Sequence, residues 1–177
     1  MYKEYPPCSL LSPYIDKYWE FKGQPGYGMH INILPDGCTD FIFTLGEAPK
    51  AVHDSLVMQP YHAYFIGAMT KYSELVTHTV TVHMLGIRFL PCGILRFMDL
   101  PLQELTNLRL NADELTSLFT HSFAERLGEQ GTIQEHLVFI ENFLLQALCR
   151  YSPKAERSML FAIQQINRCK GDLSLLR

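Results

Sequence analysis

The sequence contains no run of about 18 apolar residues, the length that a membrane-crossing helix needs. Its first residues, Met1-Tyr2-Lys3-Glu4-Tyr5-Pro6-Pro7, lack the basic-then-apolar order of a secretory leader. A cytoplasmic protein with no membrane partner is the expectation. The five cysteines (Cys8, Cys38, Cys92, Cys149 and Cys169) are odd in number, and no pair has C-x-x-C spacing. That excludes a disulfide framework and a zinc knuckle and leaves reduced, mostly buried thiols. There is no G-x-S-x-G, no phosphate loop and no G-x-G-x-x-G; Gly26-Tyr27-Gly28 is an isolated pair of glycines. Of the seven histidines, none forms the H-x-H pair that a metal-binding β-barrel would offer. His30 is followed two places on by Asn32, and His78 and His83 are spaced to face opposite sides of an unbroken strand. His121 and His136 fall on predicted helices. Without ligand spacing or a nucleophile signature, neither an enzyme nor a metal or other cofactor is expected.

What is present is a chain able to bury a core: 177 residues, 47% of them hydrophobic. Charge is unevenly placed. Residues 1–149 hold 9 basic and 16 acidic side chains, and residues 150–177 hold six basic and two acidic, a balance of −7 against +4. The basic end hints at an anionic partner, although an ordinary solvated helix face has the same composition.

The first two thirds of the chain read as β-structure. Tyr14 to Phe21 is rich in strand formers and ends at the turn cluster Gly23-Gln24-Pro25-Gly26. His30–Leu34 and Phe41–Leu45 flank Pro35-Asp36-Gly37, where Asp36 caps a turn and Gly37 supplies positive φ. The two strands and their turn predict a hairpin. Tyr61–Met69 reads as another strand, and Leu75–Phe89 as one long strand with a bend or bulge at Gly86. Gly93–Met98 predicts a short helix stopped by Pro101. From Asn111 the period becomes helical, with a cap at Asn111 and a first helix running to Gly128. Thr132-Ile133-Gln134-Glu135 is a full capping box opening a helix at 133–150. Ile133, Leu137, Ile140 and Leu144 form its apolar stripe, making it the dimerisation candidate; covering the β-structure is the alternative. Ser152-Pro153 opens a third helix, with Met159, Ala162, Ile163 and Ile166, ending at Gly171.

Two features suggest a ligand pocket. Arg88 interrupts the apolar run Leu85-Gly86-Ile87-Arg88-Phe89, so its charge must find a partner, the surface or a cavity. Pairing with Asp40 is the structural reading, and binding an anionic effector is the functional one. Tyr14, Tyr18 and Trp19 offer aromatic walls with polar tips. Aromatic stripes are also common core. Tyr14, Tyr18, Trp19, Asp40 and Arg88 are therefore the pocket candidates.

Two stretches carry a resemblance. Pro7, Leu10, Tyr14-Ile15, Tyr18-Trp19, Leu34-Pro35-Asp36-Gly37-Cys38-Thr39-Asp40-Phe41-Ile42-Phe43 and Gly86-Ile87-Arg88-Phe89-Leu90-Pro91-Cys92-Gly93, with Phe97, Pro101 and Glu104-Leu105, form the first. It is similar to an N-terminal domain found on AraC-type bacterial transcription regulators. Ala162 to Leu176 is similar to the opening of that family's helix-turn-helix domain. The resemblance implies a domain that senses an effector or holds two subunits together, and a separate domain that places recognition helices in DNA. It also implies that this sequence stops after the first helix of the DNA-binding domain, so no DNA-contacting residue is expected within it. Better-known members bind small molecules in a cupin-like barrel.

The expected architecture is α+β: a small antiparallel β-barrel or sandwich of cupin-like type, an amphipathic helix pair and one further C-terminal helix. Residues 1–110 would be the sensing domain, 111–150 the helical pairing segment, and 151–177 a linker with the first helix of the DNA-binding domain. The expected partners are DNA, through the rest of the full-length protein, a second copy of the chain, and a small-molecule effector. A cupin-like enzyme and a ligand-free interaction module are the rival readings.

Overall fold

A computed structural model of the chain describes residues 1–24, 28, 30–33, 35–46, 50–51, 57–76, 81–115, 118–150, 161–162, 165–166 and 169. Among them run β1 (Tyr2–Tyr5), β2 (Ile15–Gly23), β3 (His30–Ile33), β4 (Thr39–Thr44), β5 (Lys50–Ala51), β6 (Ala63–Ile66), β7 (Ser73–Val76) and β8 (Val82–Phe89). A short 3-10 turn (Gly93–Arg96), β9 (Arg109–Asn111), α1 (Ala112–Leu115), α2 (His121–Gly128) and α3 (Ile133–Arg150) follow. The class is α+β, as expected. The main sheet has six strands in the order β1-β2-β8-β4-β6-β9, every neighbour antiparallel. It is open, with β1 and β9 at its edges, so the fold is sandwich-like rather than a closed barrel. A second sheet has the order β3-β7-β5.

Alternation along the central strands sends side chains to two cores. Phe41 and Phe43 of β4, Phe65 of β6 and Leu85, Ile87 and Phe89 of β8 share one core with Phe119, Phe123, Ile140 and Leu144 of the helical part. Rings lock the two layers together: Phe41 meets Phe119 at 4.6 Å and Phe43 meets Phe123 at 5.5 Å between centroids. Each such fully buried side chain contributes about 1.5–3 kcal/mol. On the other face lie Trp19, Ile42, Tyr64, Ile66 and Met84. Every residue of β4 is buried because the strand is central and covered on both sides.

At the edge, β1 pairs with β2 through Tyr2↔Phe21, Lys3↔Glu20, Glu4↔Trp19 and Tyr5↔Tyr18. Lys22 N donates to Met1 O at 3.1 Å, and the Met1 amino group donates to Lys22 O. Hydrogen-bonded pairs alternate along an antiparallel ladder, so Lys3 and Tyr5 direct their backbone groups to β2. Tyr2 and Glu4 direct theirs outward.

Several expectations require correction. Strands β3 and β4 are not a hairpin: β3 pairs with β7 in the small sheet, while β8 and β6 occupy both sides of β4. The predicted long strand from Leu75 to Phe89 is two strands in different sheets, and residues 77–80 between them lie outside the described residues. Gly86 sits inside β8 without a bulge; the irregularity falls in β2, between Ile15 and Lys17. The helix predicted from Ala112 to Gly128 is split. Thr120 caps α2 by accepting from Phe123 N, and Asp113 Oδ1 accepts from His121 N at 2.8 Å, so a new helix starts there. The cysteines are free, as expected, but Cys8, Cys38, Cys92 and Cys169 are only partly buried and Cys149 is exposed.

The capping box of α3 forms as read: Glu135 N donates to Thr132 Oγ1, and Glu135 Oε2 accepts from Thr132 N at 2.8 Å. Of the predicted third helix, Phe161, Ala162, Gln165 and Ile166 are helical, and the rest of residues 151–177, Cys169 apart, lies outside the described residues. No helix among the described residues is long and apolar enough to cross a membrane.

Candidate functional site

The register of the main sheet assembles a polar network on the face opposite the helices. Arg88 of β8 stands in register with Asp40 of β4 on one side and Lys17 of β2 on the other. Its Nε donates to Asp40 Oδ1 at 3.2 Å and its Nη2 to Asp40 Oδ2 at 3.2 Å. Its Nη1 reaches Asp36 Oδ2 at 2.9 Å. Asp40 Oδ1 also accepts from Trp19 Nε1 at 2.8 Å. Asp36 can reach Arg88 because of its turn: its other oxygen accepts from Cys38 N at 3.0 Å, and Gly37 takes φ of 72°, which a glycine adopts without strain.

Gly86 makes room for the tryptophan. The indole lies across it, in register with Trp19, and a Cβ at Gly86 would fall 2.0 Å from Trp19 Cε2. Tyr2 of β1 stacks on the indole at 6.1 Å between centroids and 28° between planes. Tyr2 donates to Glu4 Oε1, and Lys17 Nζ reaches the same oxygen at 2.9 Å. Four carboxylates (Glu4, Asp16, Asp36 and Asp40) thus share two cations, Lys17 and Arg88.

Burial pushes the Asp40 carboxyl above its ordinary range, with the charge of Arg88 and the bond from Trp19 opposing it. The paired carboxylates hold the Arg88 guanidinium well above its usual value, against its own burial. Burial also raises the Cys38 thiol to about 11, so the neighbouring sulfur stays protonated at neutral pH. Tyr2 rises to about 12 through burial and its bond to Glu4. The network pins β2, β4, β8 and the 35–38 turn to one another. All three nitrogens of the guanidinium are directed at carboxylates of the chain itself.

Of the five pocket candidates, the structure brings together Trp19, Asp40 and Arg88. Tyr18 points to the opposite face by strand alternation and is 1% exposed in the main core. Burial beside the Glu141 carboxylate pushes its hydroxyl up. Tyr14 meets Phe97 edge-on at 5.8 Å, and its carbonyl accepts from Leu90 N where Gly93 allows close approach. Tyr2, Glu4, Lys17 and Gly86 join the network without having been read as site residues.

The dimerisation candidates lie at the centre of the fold. Ile140 and Leu144 are fully buried in the main core, and Ile133 and Leu137 are partly buried against it. Covering the sheet is therefore the work of this stripe, and the outward residues of α3 include Gln134, Val138 and Asn142. Two grooves flank the helix. One of about 280 Å³ is lined by Phe97, Leu118, Phe143, Gln146, Ala147 and Arg150. The other, of about 320 Å³, is lined by Gln130, Gln134, Glu135, Val138, Phe139 and Asn142. Neither includes a pocket candidate.

His53 and His78 lie outside the described residues; His30 pairs with Glu74, and the His62 ring meets that of His121 at 4.4 Å, tilted by 40°. Among the described residues, no three His, Cys, Asp or Glu side chains converge as a metal site would require.

No curated protein matches the chain. Residues 3–111 match a family described as a domain of unknown function, DUF6597, a span that holds the whole Trp19–Asp40–Arg88–Asp36 network and ends where β9 meets α1. With more than half its length inside that match, the chain belongs to the DUF6597 family.

Proposed function

We propose that this chain is the regulatory part of an AraC-type transcription regulator. In this reading residues 1–110 form the sensing or contact domain, and 111–150 close it and present a surface for a second copy. A helix-turn-helix domain beginning within 151–177 binds DNA. One observation carries the reading. The residues behind the resemblance come from three distant stretches, around Trp19, Asp36–Asp40 and Gly86–Gly93. They meet in one network, so the likeness belongs to a folded unit rather than to scattered residues. The protein acts in the cytoplasm as a homodimer and catalyses no reaction. Its pairing contact uses the outward residues of α3, since Ile140 and Leu144 are already engaged.

A fusion assay tests this. The chain placed ahead of a DNA-binding domain that binds its operator only as a dimer restores operator binding in a gel shift. The chain alone gives no sequence-specific shift at moderate salt. An inert fusion, or specific binding by the chain alone, would overturn the proposal. A second reading, an interaction module without a small-molecule effector, is favoured by the way Asp36 and Asp40 occupy Arg88. A ligand needing that guanidinium has to displace a carboxylate held at bonding distance. A thermal-shift screen of small anions separates the two readings: stabilisation that disappears in Arg88→Met supports an effector.

A further inference from the structure

The core face of the main sheet turns polar beneath the first half of α3. Glu20 and Lys22 of β2 and His83 of β8 share that face, with Lys22↔His83 and Glu20↔Leu85 in register. His83 Nε2 lies 2.9 Å from Glu20 Oε1, and Tyr5 of β1 donates to Glu20 Oε2 at 3.3 Å. Lys3 of β1 stands in register with Glu20. Into this cluster α3 lowers His136, one turn after the exposed Thr132 and one turn before the buried Ile140. The imidazole meets His83 edge-on at 6.3 Å and 76°, and the residue is only 4% exposed. Its Nδ1 is buried with no hydrogen-bond partner among the described residues. A neutral ring tolerates such a place at the cost of one unmade bond. A cationic ring would put a second charge beside His83 and Lys22, with Glu20 already bonded twice and Glu135 on the solvent side as the remaining acid.

We infer that His136 is a proton-operated latch: the first half of α3 seats on the sheet while this imidazole is uncharged and lifts when it takes up a proton. The hinge end is provided by Ile140 and Leu144, which hold the second half in the main core. Burial and the charges of His83 and Lys22 keep the seated imidazole below its ordinary value of 6.5, Glu20 and Glu135 opposing. Once lifted into water it returns to about 6.5. The lifted state therefore binds the proton more tightly. Seating is at full strength above about pH 6.5 and weakens as pH falls from there towards the seated value. The latch stands independently of the regulatory reading, but under that reading it couples acidity to the outward face of α3.

Hydrogen exchange on the 177-residue chain tests it, with rates corrected for intrinsic pH dependence. Protection of the amides of residues 136–140 should fall by up to about fivefold from pH 6.5 to 5.5, the limit for one proton on a group that returns to about 6.5, while β4 and β8 keep theirs. His136→Gln and His136→Leu should each abolish the difference, and His83→Gln should retain it. An equal fall in either His136 variant, or none in the parent chain, refutes the latch. An NMR titration of the parent needs no variant: a His136 ring resonance titrating at or above 6.5 also refutes it.

Discussion

Replacing Asp40 by Asn keeps the shape of the side chain and removes its charge from between Trp19 and Arg88. The amide oxygen still accepts from the indole, but the amide nitrogen now faces the guanidinium, donor against donor. Removing one partner from a buried ion pair costs about 3–5 kcal/mol. Here the Arg88 side chain retains 24% of its exposure and the Asp36 carboxylate at 2.9 Å, so water and a second anion offset part of the loss. About 2–3 kcal/mol remains, close to what one or two lost hydrogen bonds to a charged group are worth. Trp19 is the single tryptophan, and its indole is bonded to the altered residue, so its emission follows unfolding in urea without a label. With a urea slope of about 2 kcal/mol per molar, the midpoint should fall by about 1–1.5 M. Combining Asp40→Asn with Arg88→Met should cost clearly less than the two separate losses together, because each single change strands the other group. A single-variant loss under about 0.5 kcal/mol, or strict additivity, would refute the view of Asp40 as the centre of the network.

Arg88→Met alone should be pH-dependent. Burial already raises Asp40 in the folded chain, so its contribution is favourable below its unfolded value and is lost as pH rises through the folded one. Removing the cation raises it further; the variant should lose more stability at pH 7 than at pH 4, and equal losses in urea melts would count against the pairing. Gly86→Ala should expel the indole from β8, costing about 1–3 kcal/mol and shifting Trp19 emission to longer wavelength. Gly46→Ala is the matched control, since its Cβ would meet nothing closer than His83 Cβ at 3.8 Å. Leu144→Ala should cost about 2–5 kcal/mol in equilibrium unfolding. Val138→Ser, at a position 57% exposed, should stay within about 0.5 kcal/mol and instead weaken self-association in sedimentation if α3 pairs outward.

Where a segment's partners are local, the sequence was readable. The α3 start is the clearest case, because Thr132 and Glu135 satisfy each other within one turn. The turn at Asp36-Gly37-Cys38 was readable for the same reason. The β3–β4 hairpin failed because short loops favour hairpins, and nothing local says that β8 and β6 take both edges of β4. Strand β1 was invisible: Tyr2-Lys3-Glu4-Tyr5 is mostly exposed, so it shows no buried alternation, and its pairing is wholly nonlocal. The start of α2 did carry a signal, in Thr120 and Asp113, but the apolar face running from Leu115 to Phe123 concealed the break. In the site, Arg88 was legible as a charge inside an apolar run that demanded an acid, and Asp40 supplies it. Strand alternation separates Trp19 from Tyr18, so reading the aromatic run as one wall overlooked a local rule. Tyr2 and Gly86 become site residues only once three strands stand side by side.

The outward backbone groups of β1 belong to Tyr2 and Glu4, and this limits how far the sheet can grow. Two copies meeting edge to edge about a two-fold axis pair antiparallel, with outward groups facing outward groups. Only two registers then overlap by more than one residue pair. One sets Lys3 directly against its own counterpart and the other sets Glu4 against its own. Like charges opposite each other in a ladder are destabilising. The edge is thus closed to two-fold pairing with its own copy by four residues of sequence, a guard against edge-to-edge dimerisation. Concentrated protein should form no β1-mediated dimers, and reversing the charge of Lys3 or of Glu4 alone would not open the edge, because each change leaves a like pair in both registers.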